Sequence, residues 1–342
     1  MGKQIYEEIA IFSGKAGKPL ARRVCEEYSE ISGDAIQLSK VRNDCFADGE
    51  CRSQPMESMH GQDVYIINST CQPDRNFIDT AFLANSAQGA SAGRVTVVLS
   101  YFGYGRADHK DERWKPKGAK IMAELVSQDA DRVIVLDLHN DSVENLFLAK
   151  AVDVLYSSKF AIPYLIDNIV NRSMREVIFA STDAGGGKRA RAYAKRAGVG
   201  CVIFDKERSE PNMIEEDSVV IAGNVEGKDI VFIDDMIDSG GTIFDDAIAA
   251  KEAGAKDIYV YATHAVFSRK VLRRIDEGSI RRVIVTDSIH RTPRQLQTRK
   301  NKIVVISCAR LLAEAIFLNH DEESLSESDL FLNGKPLEPL EP

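Results

Sequence analysis

The segment Val231 to Thr242 reads VFIDDMIDSGGT. A run of Val, Phe and Ile ends in Asp234 and Asp235. Asp238, Ser239, Gly240, Gly241 and Thr242 follow before a run of helical character from Ile243 to Ala253. Glycines let backbone N–H groups turn inward and a helix start adds positive dipole, so such a loop can cradle a phosphate. Adjacent carboxylates accept hydrogen bonds from two vicinal hydroxyls, a combination that suits a sugar phosphate better than a nucleoside triphosphate. The simpler alternative is a strand-to-helix turn with Asp and Ser as caps. Capping needs one acidic or hydroxyl residue and leaves the rest of the set without a purpose.

Four other segments carry residues able to do chemistry. CFADGECR, from Cys45, places Phe46 with Asp48 and Glu50 at alternating positions, where an aromatic ring can stack on a purine while carboxylates read its amino group and ribose. By itself the same string is also an ordinary turn after a strand. YGRADHKDERWKP, from Tyr104, supplies Arg106 and Lys110, basic groups with the reach to touch polyphosphate. VIVLDLH ends a strand at His139, and STDAGGGKRA puts Asp183 ahead of a glycine run and Lys188. In FDKERSEPN, Lys206 and Arg208 alternate, so an extended backbone points both to one side, although a solvated loop is the commoner fate of such charges.

These segments need a scaffold that puts them on one edge. Apolar runs begin at Val64, Val95, Val133, Val177, Asp229, Asp257 and Val283, each followed by a stretch with helical spacing. Continuous apolar strands alternating with amphipathic helices predict an α/β fold of mainly parallel sheets covered on both faces. Ligands then sit at the carboxyl ends of the strands. The stretch GAKIMAELVSQDADRVIVLDLH, ending at His139, is similar to GGTIFDDAIAAKEAGAKDIYVYATH, ending at His264. A repeat that occurs twice implies two related domains rather than a solenoid. We expect domains over 1–156 and 157–320, with the joint near Tyr156 to Ile162, and a tail over 321–342 that is partly disordered apart from the apolar Leu330, Phe331 and Leu332.

With 342 residues, 44% hydrophobic and 28% charged, the chain has the length and composition of a two-domain globular protein. No apolar run approaches the ~20 residues of a membrane-spanning helix. The opening MGKQIY puts Tyr6 where a myristoylation signal needs Ser or Thr, and a secretory apolar core is missing, so a cytoplasmic location is expected. The six cysteines form no CxxC pair, which argues for free thiols rather than a zinc site or disulfide framework. A formal net charge of -8 disfavours general binding to nucleic acid.

The segment VFIDDMIDSGGT closely resembles the phosphoribosyl diphosphate loop of type I phosphoribosyltransferases, a likeness shared by enzymes that consume this compound and enzymes that make it. The other segments resemble motifs of the makers. CFADGECR is similar to an FxDGE or FxNxE signature that binds the adenosine of ATP, and DLH, DAGG and DKxR motifs occur in the same order. Over residues 5 to 320 the chain thus resembles the ribose-phosphate pyrophosphokinases. The resemblance implies two phosphoribosyltransferase-like domains and transfer of diphosphate from ATP to the C1 hydroxyl of ribose 5-phosphate. It implies Mg2+ near His139 and Asp183, with Lys206, Arg208 and His139 as catalytic groups. It implies ATP contacts from Phe46, Asp48, Glu50 and Arg106. Asp183, Asp234, Asp235, Asp238, Ser239, Gly240, Gly241 and Thr242 would hold ribose 5-phosphate. In the family the FxDGE segment reaches a neighbouring subunit, so a homodimer or a homohexamer is expected, and the C-terminal helix is expected to pack back on the first domain.

Departures from the pattern matter. Ala107 stands where Gln is common, and Trp114 replaces a basic residue. In HNDSVENLF, Asp141 and Glu144 occupy positions that, in phosphate-regulated members, help bind the regulatory phosphate or ADP. The resemblance therefore implies an enzyme weakly regulated by those anions. A non-catalytic regulatory homologue and a nucleobase phosphoribosyltransferase are the competing readings.

Overall fold

In a computed structural model the chain is described over residues 8–110, 112–207, 218–268, 271–325 and 339–340. It divides into two compact units, Met1–Ser157 with Ser288–His290 and Cys308–Gly334, and Ser158–Asp287 with Arg291–Ser307 and Lys335–Pro342.

The first unit opens with β1 (Ile9–Ser13), α1 (Lys18–Ser32) and a hairpin of β2 (Val41–Cys45) and β3 (Cys51–Pro55). It continues through β4 (Asp63–Ser69), α2 (Arg75–Gly89), β5 (Arg94–Tyr101), α3 (Gly118–Ser127), β6 (Arg132–Leu136) and β7 (Ala151–Leu155). Its five-stranded sheet runs β1-β4-β5-β6-β7, parallel throughout. Every residue of β4 and β5 is buried, which explains why both read as unbroken runs of low polarity rather than as alternating strands.

The second unit contains α4 (Ser158–Leu165), β8 (Val177–Ser181), α5 (Gly187–Ala197), β9 (Gly200–Glu207), β10 (Ser218–Ala222) and β11 (Asp229–Ile237). Then come α6 (Gly241–Glu252), β12 (Ile258–Ala265), α7 (Val271–Glu277), β13 (Arg282–Thr286), the short α8 (Pro293–Leu296) and β14 (Ile303–Ile306). Its seven-stranded sheet runs β10-β9-β8-β11-β12-β13-β14, parallel except for the antiparallel edge pair β9 and β10. Phe204, Phe232, Ile243, Phe244 and Val260 pack on one face, and Phe179, Tyr193, Val231 and Tyr261 on the other.

The final helix, α9 (Ala309–His320), completes the first unit, packing against α1 with the Tyr28 and Phe317 rings edge to face at 5.9 Å. A buried polar cluster fixes its end. Arg94 donates to both carboxylate oxygens of Asp63 at 2.8 and 2.6 Å and to the Asn319 carbonyl at 2.8 Å. His320 Nδ1 lies 2.9 Å from Asp63, and Asn319 donates to the Tyr65 hydroxyl at 2.8 Å.

The repeated segment takes the same form twice. In both units a strand, a helix and the adjacent parallel strand follow one another, β5-α3-β6 and β11-α6-β12. The two histidines nevertheless differ: His139 lies beyond β6 and is exposed, whereas His264 lies inside β12 at 1% exposure. Of the tail, Leu330, Phe331 and Leu332 lie outside the described residues, while Leu340 donates its N–H to the Val305 carbonyl at 2.8 Å.

Candidate active site

In the second unit, β8, β9 and β11 run parallel, so the segments following them leave from one edge of the sheet. The loop after β8 carries Asp183. Its exposed carboxylate accepts the Gly186 N–H at 2.6 Å, just before α5, so one oxygen serves the helix start. A Cβ on Gly186 would come within 2.7 Å of the Ser181 hydroxyl, which explains a glycine at that point. Asp234 lies on the neighbouring strand, and its carboxylate accepts the Asp235 N–H at 2.8 Å and, at 3.5 Å, the Thr182 hydroxyl. Burial, reinforced by the adjacent Asp235 carboxylate, pushes the Asp234 carboxyl well above the ordinary carboxylate range. Hydrogen-bond donors placed against it would stabilise its ionised form.

The loop from Asp238 to Thr242 opens α6. Gly240 stands at φ 70°, ψ 14°, and a Cβ there would fall 2.4 Å from the Phe244 ring, so two independent constraints exclude a side chain. No side chain caps the helix. The N-cap position itself is Gly240, which has no side chain to offer the first-turn amides. The first turn is closed by Phe244 N–H on the Gly240 carbonyl at 3.0 Å, and the amides before it belong to the positive end of the helix dipole. Ser239 and Thr242 are exposed, and Asp238 and Gly241 half-buried. Arg274 of α7, which sequence inspection passed over, lies with its guanidinium 5.0 Å from the centre of the Phe244 ring and 3.8 Å from the position of a Gly241 Cβ. It brings a positive charge beside this loop.

Lys206 lies in β9, opposite Val219 of β10. Its side chain, and the whole of Arg208, lie outside the described residues.

In the first unit, β5 and β6 are parallel neighbours, so Arg106 and His139 follow adjacent strands. Both are exposed, and a Cβ at Gly105 would stand 3.6 Å from the His139 Cβ. Asp137, two residues before His139, takes the unusual left-handed region at φ 40°. It is tied there by Ser157, whose N–H at 3.2 Å and hydroxyl both donate to its carboxylate. The loops of Arg106 and His139 are pinned together by Asp108, which accepts from Asn140 at 2.8 Å and Ser142 at 3.4 Å.

The segment Phe46 to Glu50 is the turn of the β2-β3 hairpin. Phe46 N–H donates to the Glu50 carbonyl at 2.8 Å, Gly49 takes φ 97°, and the Asp48 carboxylate accepts the Glu50 N–H at 3.0 Å. All three candidate residues are exposed, and the Phe46 ring is half-exposed with the Arg52 guanidinium 4.7 Å from its centre. Arg75 at the start of α2 donates to the Asp44 carbonyl at 2.7 Å, while Tyr104 donates to Asp74 at 2.9 Å. The hairpin and the Arg106 loop are thereby both fastened to the beginning of α2. No local motif marks Arg75 for this task, and although Asp137 stands in the DLH motif nothing local pairs it with Ser157, because the partners are distant in sequence.

Among the described residues no group of three or more His, Cys, Asp or Glu side chains could hold a metal ion, and His139 and Asp183 belong to different units. An all-protein cage for a cation is therefore not present among them. Mg2+ commonly binds one or two carboxylates together with substrate phosphates and water. Asp183, with one oxygen still available beside an exposed loop, fits that mode.

Two family descriptions match the chain: the N-terminal domain of ribose phosphate pyrophosphokinase over residues 9–129 and a phosphoribosyl synthetase-associated domain over 211–331. A ribose-phosphate pyrophosphokinase of Vibrio parahaemolyticus is 38% identical over 323 residues, 93% of this chain and 98% of that protein. One from Gloeobacter violaceus is 35% identical over 94% of this chain and 92% of the relative. The crystal structure of phosphoribosylpyrophosphate synthetase from Mycobacterium smegmatis superposes with a TM-score of 0.83 and 29% identity, covering 92% of this chain and all of that one.

Proposed function

The chain belongs to the ribose-phosphate pyrophosphokinase family, and from that premise we propose how its residues divide the reaction between them. The reaction is transfer of the diphosphate of ATP to the C1 hydroxyl of ribose 5-phosphate, giving phosphoribosyl diphosphate and AMP. The hydroxyl oxygen attacks the β-phosphorus, the bond to the α-phosphate oxygen breaks, and the hydroxyl proton is lost. Such a transfer depends mainly on in-line positioning and on neutralising charge at the transferring oxygens.

The observation that carries this division is the start of α6: an uncapped helix N-terminus behind Gly240, immediately after an acidic pair whose Asp234 is poorly solvated. The 5-phosphate lies on the amides of Gly240 to Thr242 with Asp238 and Ser239, and the ribose hydroxyls donate to Asp234 and Asp235. Lys206 and Arg208 close on the β-phosphate. Phe46, Asp48, Glu50 and Arg106 hold ATP. Mg2+, bound by Asp183 with a contribution from His139, would neutralise polyphosphate charge. The exposed hairpin turn is suited to a neighbouring subunit, so the active form is a homodimer or a larger homo-oligomer, and the compartment is the cytoplasm. No helix among the described residues is long and apolar enough to cross a membrane.

The direct test measures AMP formed from ATP and ribose 5-phosphate by the purified protein. Absence of AMP would leave the regulatory homologue, whereas base-dependent release of diphosphate would mark a phosphoribosyltransferase. Retention of Lys206, Arg208, Asp234 and Asp235 argues against the former.

Gly240→Ala is expected to raise KM for ribose 5-phosphate about tenfold or more, because a left-handed alanine costs roughly 1–2 kcal/mol and its methyl meets the Phe244 ring. The KM for ATP should change much less. Equal changes in both constants would remove the phosphate from this loop.

Two observations support the reading of weak regulation by phosphate. Asp141 and Glu144 lie in the first turn of a short 3-10 helix, where carboxylates are favourable to the helix but repel an anion. Asp108 already takes hydrogen bonds from Asn140 and Ser142, donors that a bound anion would otherwise use. Activity titrated with inorganic phosphate should stay within about twofold of its starting value, a change worth less than ~0.5 kcal/mol. Strong phosphate dependence would reject this reading.

A further inference from the structure

Cys45 and Cys51 bracket the hairpin turn, and the pairing register sets them directly opposite each other. The backbone bonds fix which kind of pair this is. Phe46 N–H donates to the Glu50 carbonyl, and Met56 N–H to the Lys40 carbonyl, so hydrogen-bonded pairs fall at 46 with 50 and, by alternation, at 44 with 52. Cys45 and Cys51 therefore form a non-hydrogen-bonded pair, the closer kind, with Cα atoms about 4.5 Å apart and side chains on one face. That spacing lies at the short end of the disulfide range of roughly 4.4–6.8 Å. Both thiols are free, Cys45 is exposed and Cys51 half-exposed. The other cysteines, by contrast, have no such partner in strand register; Cys25 and Cys308 are buried.

We infer that Cys45 and Cys51 form a reversible disulfide that switches the conformation of the turn between them. A small disulfide such as oxidised glutathione is the oxidant. The Cys45 thiolate attacks one of its sulfurs and releases one thiolate, leaving a mixed disulfide. The Cys51 thiolate then attacks the Cys45 sulfur and expels the second. Two electrons pass from the cysteines to the small disulfide, and the two cysteine protons end on its two thiols.

Closure has local consequences because the turn is held by what surrounds these sulfurs. Arg75 donates to Cys45 Sγ as well as to the Asp44 carbonyl, and both sulfurs lie within electrostatic range of its guanidinium. A disulfide removes the thiol partner of Arg75. It also draws the Cβ atoms from the roughly 4.5–5.5 Å of a cross-strand pair toward the ~3.8 Å of a disulfide. With Cα atoms closer than the usual ~5.5–6 Å of a disulfide, the pair must readjust to the bond, and Phe46, Asp48 and Glu50 move with the turn that joins its strands. A bond formed under strain is easily reduced, which suits a switch rather than a staple.

The functional consequence rests on the reading of this turn as part of the ATP site. Closing the disulfide is expected to raise KM for ATP about tenfold, an ordinary coupling between a switch and a site, with little change in KM for ribose 5-phosphate.

The test incubates the full-length protein in glutathione buffers of rising oxidised-to-reduced ratio, followed by acid quench, alkylation and tryptic mapping. Cleavage after Arg42 and Arg52 yields one peptide, NDCFADGECR, that holds both cysteines. The expected product is this peptide two hydrogens lighter and unalkylated, restored by dithiothreitol, with the KM for ATP following the same curve. Cys45→Ser and Cys51→Ser should keep their ATP constants at every ratio. A peptide that stays doubly alkylated, or that takes up glutathione without closing, overturns the proposal, as does closure with unchanged KM for ATP. Phe46→Ala in the reduced protein separates the two premises: if it leaves KM for ATP unchanged, the turn is not an ATP contact, whatever the mass spectrum shows of the thiols.

Discussion

Replacing Lys206 with alanine is expected to lower kcat by about 10²–10³ while KM for ATP and for ribose 5-phosphate stays within a few-fold, the signature of a group that acts on the transition state. The lysine lies near the end of β9, beside β8, whose following loop carries Asp183, and β11 stands on the far side of β8. On the proposed division of the reaction, the lysine would meet the charge that builds on the β-phosphoryl oxygens during transfer. The ground-state polyphosphate already has other cations, so most of the loss should appear in kcat. Lys206→Arg keeps the charge but not the compact ammonium geometry, and should recover only part of the rate. Steady-state kinetics with each substrate varied in turn decides the matter. An unchanged kcat removes Lys206 from the mechanism, and a loss confined to KM assigns it to binding alone.

The second large effect concerns architecture. Arg94→Ala is expected to destabilise the first unit by about 3–5 kcal/mol, the usual cost of removing one partner of a buried ion pair. Arg94 is almost enclosed, and it holds both Asp63 and the carbonyl end of α9. Burial alone would push the Asp63 carboxyl up, but hydrogen bonds from Arg94 and His320 outweigh it and hold the group below its ordinary value. In the parent protein this group therefore contributes stability above the unfolded carboxylate range, and that contribution is lost as pH falls through the lowered folded value. In Arg94→Ala only His320 and Tyr65 are left to offset burial, so the folded pKa is expected to rise and the stability gained by the charged carboxylate as pH rises is expected to shrink. The deficit of the variant should thus be larger at neutral pH than near pH ~4, where an unpaired carboxyl is largely protonated. Hydrogen exchange of the α9 amides at both pH values, supported by urea unfolding, measures this. An equal deficit at both pH values would show that lost packing outweighs the unpaired charge. Asp63→Asn with Arg94→Met removes both charges and should lose less than Arg94→Ala.

Much of the scaffold was legible because parallel strands are buried on both faces. The runs from Val64, Val95, Val133, Val177, Asp229, Asp257 and Val283 all form strands, since a segment without a solvent face has few polar residues to confuse its period. The hairpin of β2 and β3 gave no comparable signal. VRNDC and CRSQP are mixed and only partly buried, so their pairing rests on the turn at Gly49 and on contacts with α2. The repeated strand-helix-strand pattern was likewise visible, yet it made His139 and His264 look equivalent. Their separation into an exposed and a buried residue follows from where each strand stops.

The loop from Asp234 to Thr242 marks the division most clearly. Its residue types alone indicated a strand, an acidic pair and a phosphate cradle, because glycine and paired aspartates are informative wherever they occur in a chain. Sequence could not say whether Asp238 or Ser239 caps α6, since that depends on the path taken at Gly240. Nor could it place Arg274 beside the loop, tie Asp137 to Ser157, or set Cys45 against Cys51 as a close pair. Those relations join residues through register, positive φ and packing between separate elements. Local chemistry is written in residue types, but contact geometry exists only once the strands have paired.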